Sequence, residues 1–176
     1  MTVGNRFIRK HLRYAPLSIG ICVTISSSLQ PPLWNPPPPS VYKLNCDASI
    51  IKDKQLGGLG FLIRDHLGAC KIVAVSNPIA CDNVLIDKAM AIKEGLLEAI
   101  SEGAYSLIVE SDNMEVILFL KSCNSRPTLQ VRSIINDFRH LQSLFDNCIF
   151  QFIPRAASFV ADALARRALS LTSKMV

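Results

Sequence analysis

The chain has 176 residues, of which 49% are hydrophobic, so it is long and apolar enough to build one globular domain and is not a disordered chain overall. The formal net charge is +5, but five of the 19 basic residues precede the first acidic residue, Asp47, and the remaining basic residues balance the 14 acidic ones. The excess charge therefore belongs to the N-terminal segment and gives no ground for assigning nucleic-acid binding to the domain itself. The six cysteines form no C-x-x-C pair and have no zinc-type spacing with histidine, which favours free thiols in a reducing compartment such as the nucleus or cytoplasm.

The first 40 residues differ from the rest of the chain. A basic stretch at 5–13 is followed by an apolar stretch at 15–25 that is too short to span a bilayer, and then by a proline-rich run at 31–39. The pattern fits a signal peptide, an organelle transit peptide or a remnant of a longer parent protein, and the residues do not choose among these. Because a proline run is a stiff, extended linker, we expect residues 1–40 to be a disordered tail and linker, 41–171 to be the domain and 172–176 to be a C-terminal tail.

The N-terminal half of the domain predicts three antiparallel strands. Alternating apolar and polar residues indicate strands at 41–47, 57–64 and 69–76. The turn between the second and third strands is Asp65-His66-Leu67-Gly68, in which glycine can adopt a positive φ.

The C-terminal half predicts helices that alternate with short buried strands. Helical spacing of apolar residues covers 84–102, 114–122 and 129–145, and a last helix at 158–171 has Ser158 as its candidate N-cap. Gly103 is well placed to end the first helix, and strands are predicted at 107–109 and 148–153. The order βββαβααβα predicts an α/β domain with a mixed five-stranded sheet, because a strand–helix–strand unit forms a right-handed parallel crossover.

Three aspartates are the candidate site residues. Asp112 follows a parallel strand, Asp47 lies within or at the end of the first strand, and Asp162 stands among small apolar residues in the first turns of the last helix. Sites in open α/β sheets lie beyond the carboxyl ends of the strands, and a carboxylate in apolar surroundings usually has a cation as a partner. On spacing alone, ordinary strand-end and helix-dipole roles are the favoured interpretation of these residues.

A series of short motifs in the domain resembles the plant branch of the type-1 ribonuclease H family, which often occurs in retroelement-derived proteins. The motifs stand in the family's order over about 130 residues. They are Pro36-Pro37-Pro38-Pro39, Lys43-Leu44-Asn45-Cys46-Asp47-Ala48, 57–60, 62–68, 89–97, Ile108-Val109-Glu110-Ser111-Asp112, Pro154-Arg155 and Ala161-Asp162-Ala163-Leu164-Ala165.

This resemblance implies a ribonuclease H-like fold and a metal-dependent endonuclease that cuts the RNA strand of an RNA–DNA hybrid. It implies that Asp47, Asp112 and Asp162 are catalytic residues and ligands of two Mg²⁺ or Mn²⁺ ions, which would activate water and stabilise the leaving oxygen. We expect the three aspartates to converge on one cluster at the sheet edge. The expected partner is nucleic acid, and we expect a monomer with no membrane association and no small-molecule cofactor.

Three positions depart from the family pattern. Lys88 stands where the family has a metal-binding glutamate, Phe152 where it often has a histidine, and Ser158 where it usually has an asparagine. Lys88 either neutralises Asp47 and Asp112 or extends away to solvent. The resemblance with these departures thus implies a hybrid ribonuclease impaired by Lys88 or, alternatively, a catalytically inactive module that binds nucleic acid or protein.

Overall fold

A computed structural model describes residues 7–10, 34–76, 79–80, 83–121 and 129–170 of the chain. Its centre is a seven-stranded sheet in the order β1-β4-β3-β2-β6-β7, with β5 pairing with β3 off this path. The strands are β1 (Phe7–Lys10), β2 (Tyr42–Ile51), β3 (Leu56–Arg64), β4 (Cys70–Ser76), β5 (Ile79–Ala80), β6 (Ser106–Ser111) and β7 (Asn147–Phe152). The helices are α1 (Val84–Ser101), α2 (Met114–Lys121), α3 (Leu129–Gln142) and α4 (Phe159–Leu169).

The antiparallel half of the sheet is the predicted meander of β2, β3 and β4. At the turn between β3 and β4, Asp65 Oδ1 accepts hydrogen bonds from the backbone N–H groups of Leu67 and Ala69, at 3.0 Å and 2.9 Å. Gly68 has φ +76°, a conformation that a side chain would strain. The local sequence therefore determines this turn, as expected.

The other half of the sheet is parallel. β6 lies between β2 and β7 and pairs in parallel with both. The mixed α/β sheet with flanking helices is thereby confirmed, with two short strands, β1 and β5, in addition to the five that were expected. Gly103 has φ +72° just after α1, as predicted for a residue that ends a helix.

Helices cover both faces of the sheet. Gly95 of α1 packs so closely on Leu44 of β2 that an added Cβ would lie 2.6 Å from its side chain. On the opposite face, a Cβ on Gly60 of β3 would collide with the backbone nitrogen of Ala165 in α4. Glycine at position 60 therefore allows α4 to lie directly on the strand that pairs with Asp47.

The structure places two parts of the N-terminal segment against the domain. β1 pairs with β4 in an antiparallel register. Pro37 is buried, and Trp34 Nε1 donates a 2.9 Å hydrogen bond to Glu110 of β6. The expectation that residues 1–40 lie outside the packed domain is therefore corrected for 7–10 and 34–40, while the rest of that segment and the tail at 172–176 lie outside the described residues.

The last helix begins differently from the prediction. A short 3-10 turn, Arg155–Ser158, precedes α4, and Ser158 occupies the N-cap position without a capping hydrogen bond from its side chain. In the described part of the chain, no helix is both long and apolar enough to cross a membrane.

Candidate functional site

Two of the predicted aspartates meet at the same edge of the sheet. β2 and β6 run in parallel, with Asn45 in register with Glu110. Two residues further along each chain stand Asp47, which is buried in β2, and Asp112, which follows the end of β6. The parallel β2–β6 pairing ends at Asn45 and Glu110, so both aspartates lie just beyond its carboxyl end, where α/β sheets carry their sites.

Lys88 joins these two carboxylates. It lies early in α1, a helix that Asn83 caps by accepting a 2.9 Å hydrogen bond from the Leu85 N–H. Its Nζ lies 2.9 Å from Asp47 Oδ1 and 2.5 Å from Asp112 Oδ1, and its side chain is only 12% exposed. Lys88 therefore neutralises the two aspartates in the structure and does not extend away to solvent.

Burial and the ion pairs act against each other in this group. Burial raises the pKa of Asp47, and the hydrogen bond from Lys88 opposes that rise. Burial alone would lower the pKa of Lys88, but the carboxylates of Asp112 and Asp47 outweigh it and hold the pKa of the lysine above its ordinary value. Lys88 therefore stays a cation wherever the two aspartates are ionised.

Asp162 has its own cations. It is buried in the first turns of α4, where Arg166 Nη2 lies 2.7 Å from Oδ2 and Arg155 Nη2 lies 3.5 Å from Oδ1. Both carboxylate oxygens thus face a guanidinium group. The structure brings Asp47 and Asp112 together on one ammonium, and it pairs Asp162 with arginines.

These contacts do not fit two divalent cations. The Lys88 ammonium already stands between two of the carboxylates that were expected to bind metal, and both oxygens of Asp162 face arginine. Across the described ranges, no group of three or more His, Cys, Asp or Glu side chains is arranged so that it could hold a metal ion. The expected Mg²⁺ or Mn²⁺ therefore has no suitable set of ligands in this arrangement.

A second polar cluster, which the sequence-based predictions did not include, contains the residues that precede the aspartates by two positions on β2 and β6. We call Trp34, Lys43, Asn45, Arg64 and Glu110 the anchor cluster. The buried Glu110 carboxylate accepts hydrogen bonds from Trp34 Nε1 at 2.9 Å and Asn45 Nδ2 at 2.7 Å, and pairs with Lys43 Nζ at 2.6 Å. The Arg64 guanidinium lies 3.3 Å from the centre of the Trp34 ring. A signal was present, since Lys43, Asn45 and Asp47 alternate on one face of β2.

The other two departures from the family pattern, Phe152 and Ser158, both precede Asp162 in the chain. Phe152 is the last residue of β7 and pairs with Ser111, so β7 ends at the same sheet edge as Asp112. Ser158 is buried, and its hydroxyl has no hydrogen-bond partner among the residues that the structure describes. Neither position supplies a histidine or an amide to the site.

Comparisons with known proteins agree on the kind of domain. A family model described as reverse transcriptase-like matches residues 45–168. A comparison with curated proteins found no match.

Similar solved structures are ribonucleases H. RNase H1 of the halophilic archaeon Halobacterium salinarum NRC-1 is 22% identical, with a TM-score of 0.65 over 73% of this chain and 97% of its own. The N-terminal RNase H domain of rv2228c from Mycobacterium tuberculosis is 17% identical, with a TM-score of 0.68 over 76% of this chain and 96% of its own. LC11-RNase H1, isolated from compost by a metagenomic approach and solved in complex with an RNA/DNA hybrid, is 17% identical, with a TM-score of 0.65 over 76% and 99% of the two chains. At these identities the likeness establishes the fold.

Proposed function

The chain belongs to the reverse transcriptase-like family of ribonuclease H-like domains, and from this premise we propose that it binds RNA–DNA hybrids and hydrolyses their RNA strand weakly or not at all. The observation that carries the second half of the proposal is the position of Lys88. Its ammonium contacts both Asp47 and Asp112, at the place where the family has a glutamate.

The electrostatic effect of Lys88 is large on the scale of metal binding. Asp47, Lys88 and Asp112 together carry a charge of −1, whereas a glutamate at position 88 would make it −3. Each pair of unit charges about 4 Å apart contributes roughly 4 kcal/mol at an effective dielectric near 20. Two units of site charge acting on a divalent cation therefore amount to many times RT, so we expect metal occupancy to fall steeply.

The same contacts favour binding without metal. Lys88, Arg155 and Arg166 supply three positive charges that offset Asp47, Asp112 and Asp162. A phosphodiester backbone can then approach the site without the repulsion that three uncompensated carboxylates would exert. Because these cations belong to the protein, hybrid binding should not require Mg²⁺.

The test measures binding and cleavage of one fluorescently labelled RNA–DNA hybrid. We expect the wild type to bind it equally well in EDTA and in Mg²⁺, and to leave the RNA strand uncut in Mg²⁺ or Mn²⁺. Lys88→Glu should gain metal-dependent cleavage, and adding Asp47→Asn should remove it again. Lys93→Glu is the matched control, because Lys93 lies on the same helix and pairs at the surface with Asp137.

Two results would overturn this proposal. Absence of hybrid binding by a folded wild-type domain would contradict the binding half. Efficient Mg²⁺-dependent cleavage by the wild type, abolished by Asp47→Asn, would show that Lys88 does not block the site and that the domain is an ordinary hybrid ribonuclease.

A further inference from the structure

The exposed side of the last helix carries a surface on which Arg166 alone takes part in the ion pairs at the aspartates. Five exposed residues of this helix form what we call the α4 face: Phe159, Val160, Ala163, Arg166 and Arg167. Successive residues of a helix are about 100° apart, so these positions fall within one arc of roughly 120°. The opposite side of the helix, with Ala161, Ala165 and Ala168, is buried against the sheet.

A large aromatic side chain stands in the open on this face. Phe159 is 67% exposed, although a phenylalanine side chain ordinarily gains from burial. Phe152, at the end of β7, is also exposed. The 3-10 turn with Arg155 joins the strand that ends at Phe152 to the helix that begins at Phe159.

The segment from residue 147 to residue 170 carries a net positive charge. Between residues 147 and 170 the only acid is Asp162, which is buried, whereas Arg155, Arg166 and Arg167 are exposed. The side chains of Arg155 and Arg166 are 74% and 63% exposed even while they contact Asp162. Each guanidinium has five N–H donors, so one carboxylate contact leaves donors available to a phosphate.

An apolar ring among arginines suits a nucleic acid more than an apolar protein surface. Base–aromatic stacking and arginine–phosphate contacts are the two elements with which proteins hold single strands. Bases inside a duplex already stack on both neighbours, so a protruding phenylalanine finds the free face of a base most readily in a single-stranded segment. The location agrees, because β7 ends at the same sheet edge as Asp112.

We propose that the α4 face binds a single-stranded nucleotide flank of a hybrid, with an unpaired base on Phe159 and its phosphates on Arg166 and Arg167. This inference rests on the proposed function, since the paired part of the same molecule would occupy the site beside it. It assigns to the domain a preference for hybrids with a single-stranded extension over blunt ones.

The experiment compares two labelled hybrids of equal duplex length, one blunt and one with a single-stranded extension, by fluorescence anisotropy in EDTA. We expect the extension to tighten wild-type binding by about tenfold, which is the scale of one base stacked on an aromatic ring. Phe159→Ala should lose most of that gain while binding the blunt hybrid as the wild type does, and Phe159→Trp should keep it. Arg167→Gln should weaken the extended hybrid and reduce the salt dependence of its binding by about one counterion.

Leu67→Ala is the matched control, because Leu67 is 79% exposed in the β3–β4 turn. An extension that brings no gain to the wild type, or a gain that survives Phe159→Ala, would overturn the inference. If the wild type does not bind the blunt hybrid at all, the result contradicts the proposed function instead. Failure of the inference and failure of the proposed function are therefore distinguishable. The helical fold is not at risk in these variants, because the α4 face has no part in the core, and thermal melting verifies this.

Discussion

Trp34 should be a stabilising residue of the domain although it lies before the expected boundary. In Trp34→Ala, the buried Glu110 carboxylate loses one of its donors, and the Arg64 guanidinium loses the ring on which it lies. A hydrogen bond to a charged group contributes about 1.5–3 kcal/mol, and a cation–π contact contributes about 0.5–2 kcal/mol. We expect the free energy of unfolding to fall by roughly 2–5 kcal/mol in total, which corresponds to roughly 6–20 °C in Tm for a domain of this size.

Trp34→Phe separates the two contributions. This variant keeps an aromatic ring beside Arg64 but lacks the Nε1–H that donates a hydrogen bond to Glu110. Its free energy of unfolding should therefore fall by about half as much as that of Trp34→Ala. The assay is urea denaturation of the full chain and the two variants, followed by tryptophan-independent circular dichroism. Limited proteolysis should correspondingly leave a stable body that begins near Trp34 and not near Ser40. A Trp34→Ala variant within about 0.5 kcal/mol of the wild type, the range of ordinary surface substitutions, would refute the reasoning.

Two further predictions concern the sheet edge and the helix that covers it. Lys88→Met removes the contact that lowers the pKa of Asp47, so burial should raise that pKa further above the ordinary value of 3.8. A carboxyl whose folded pKa is raised destabilises the folded state as the pH rises above its unfolded pKa. The Tm deficit of Lys88→Met should therefore widen as the pH rises above the ordinary Asp value of 3.8, and a pH-independent deficit would contradict this. Gly60→Ala forces a methyl group against the backbone of Ala165, so the free energy of unfolding measured by urea denaturation should fall by about 2 kcal/mol or more. A decrease below about 0.5 kcal/mol would show that α4 can move away from β3 freely.

The order of elements could be predicted because it depends on local pattern. Period-two alternation, short apolar runs and helical spacing located every strand and helix of the domain core. Gly68 and Gly103 marked a turn and a helix end at which the backbone has a positive φ. The short strands β1 and β5 carry too few residues for such a pattern, and the pairing of β1 with β4 joins segments more than 60 residues apart. Element identity is a local property, whereas edge pairing is a tertiary one.

The partners of the site residues follow the same distinction. The contact of Asp162 with Arg166 spans one helical turn and can be inferred from spacing. The contacts of Lys88 with Asp47 and Asp112 cross between elements, and the family resemblance, not the spacing, indicated that position 88 lies at the site. The anchor cluster was missed because Trp34 and Glu110 are 76 residues apart and a single tryptophan in a proline run carries no periodic signal.

Direct measurement of metal binding tests the central claim that Lys88 takes the place of a divalent cation. Isothermal titration of the metal-free domain with Mn²⁺ and Mg²⁺ compares the wild type, Lys88→Glu and the surface control Lys93→Glu. The account predicts no saturable binding by the wild type or Lys93→Glu, binding by Lys88→Glu, and a lower Tm for metal-free Lys88→Glu because its added carboxylate crowds Asp47 and Asp112. Saturable Mn²⁺ binding by the wild type that Asp47→Asn abolishes would contradict the account.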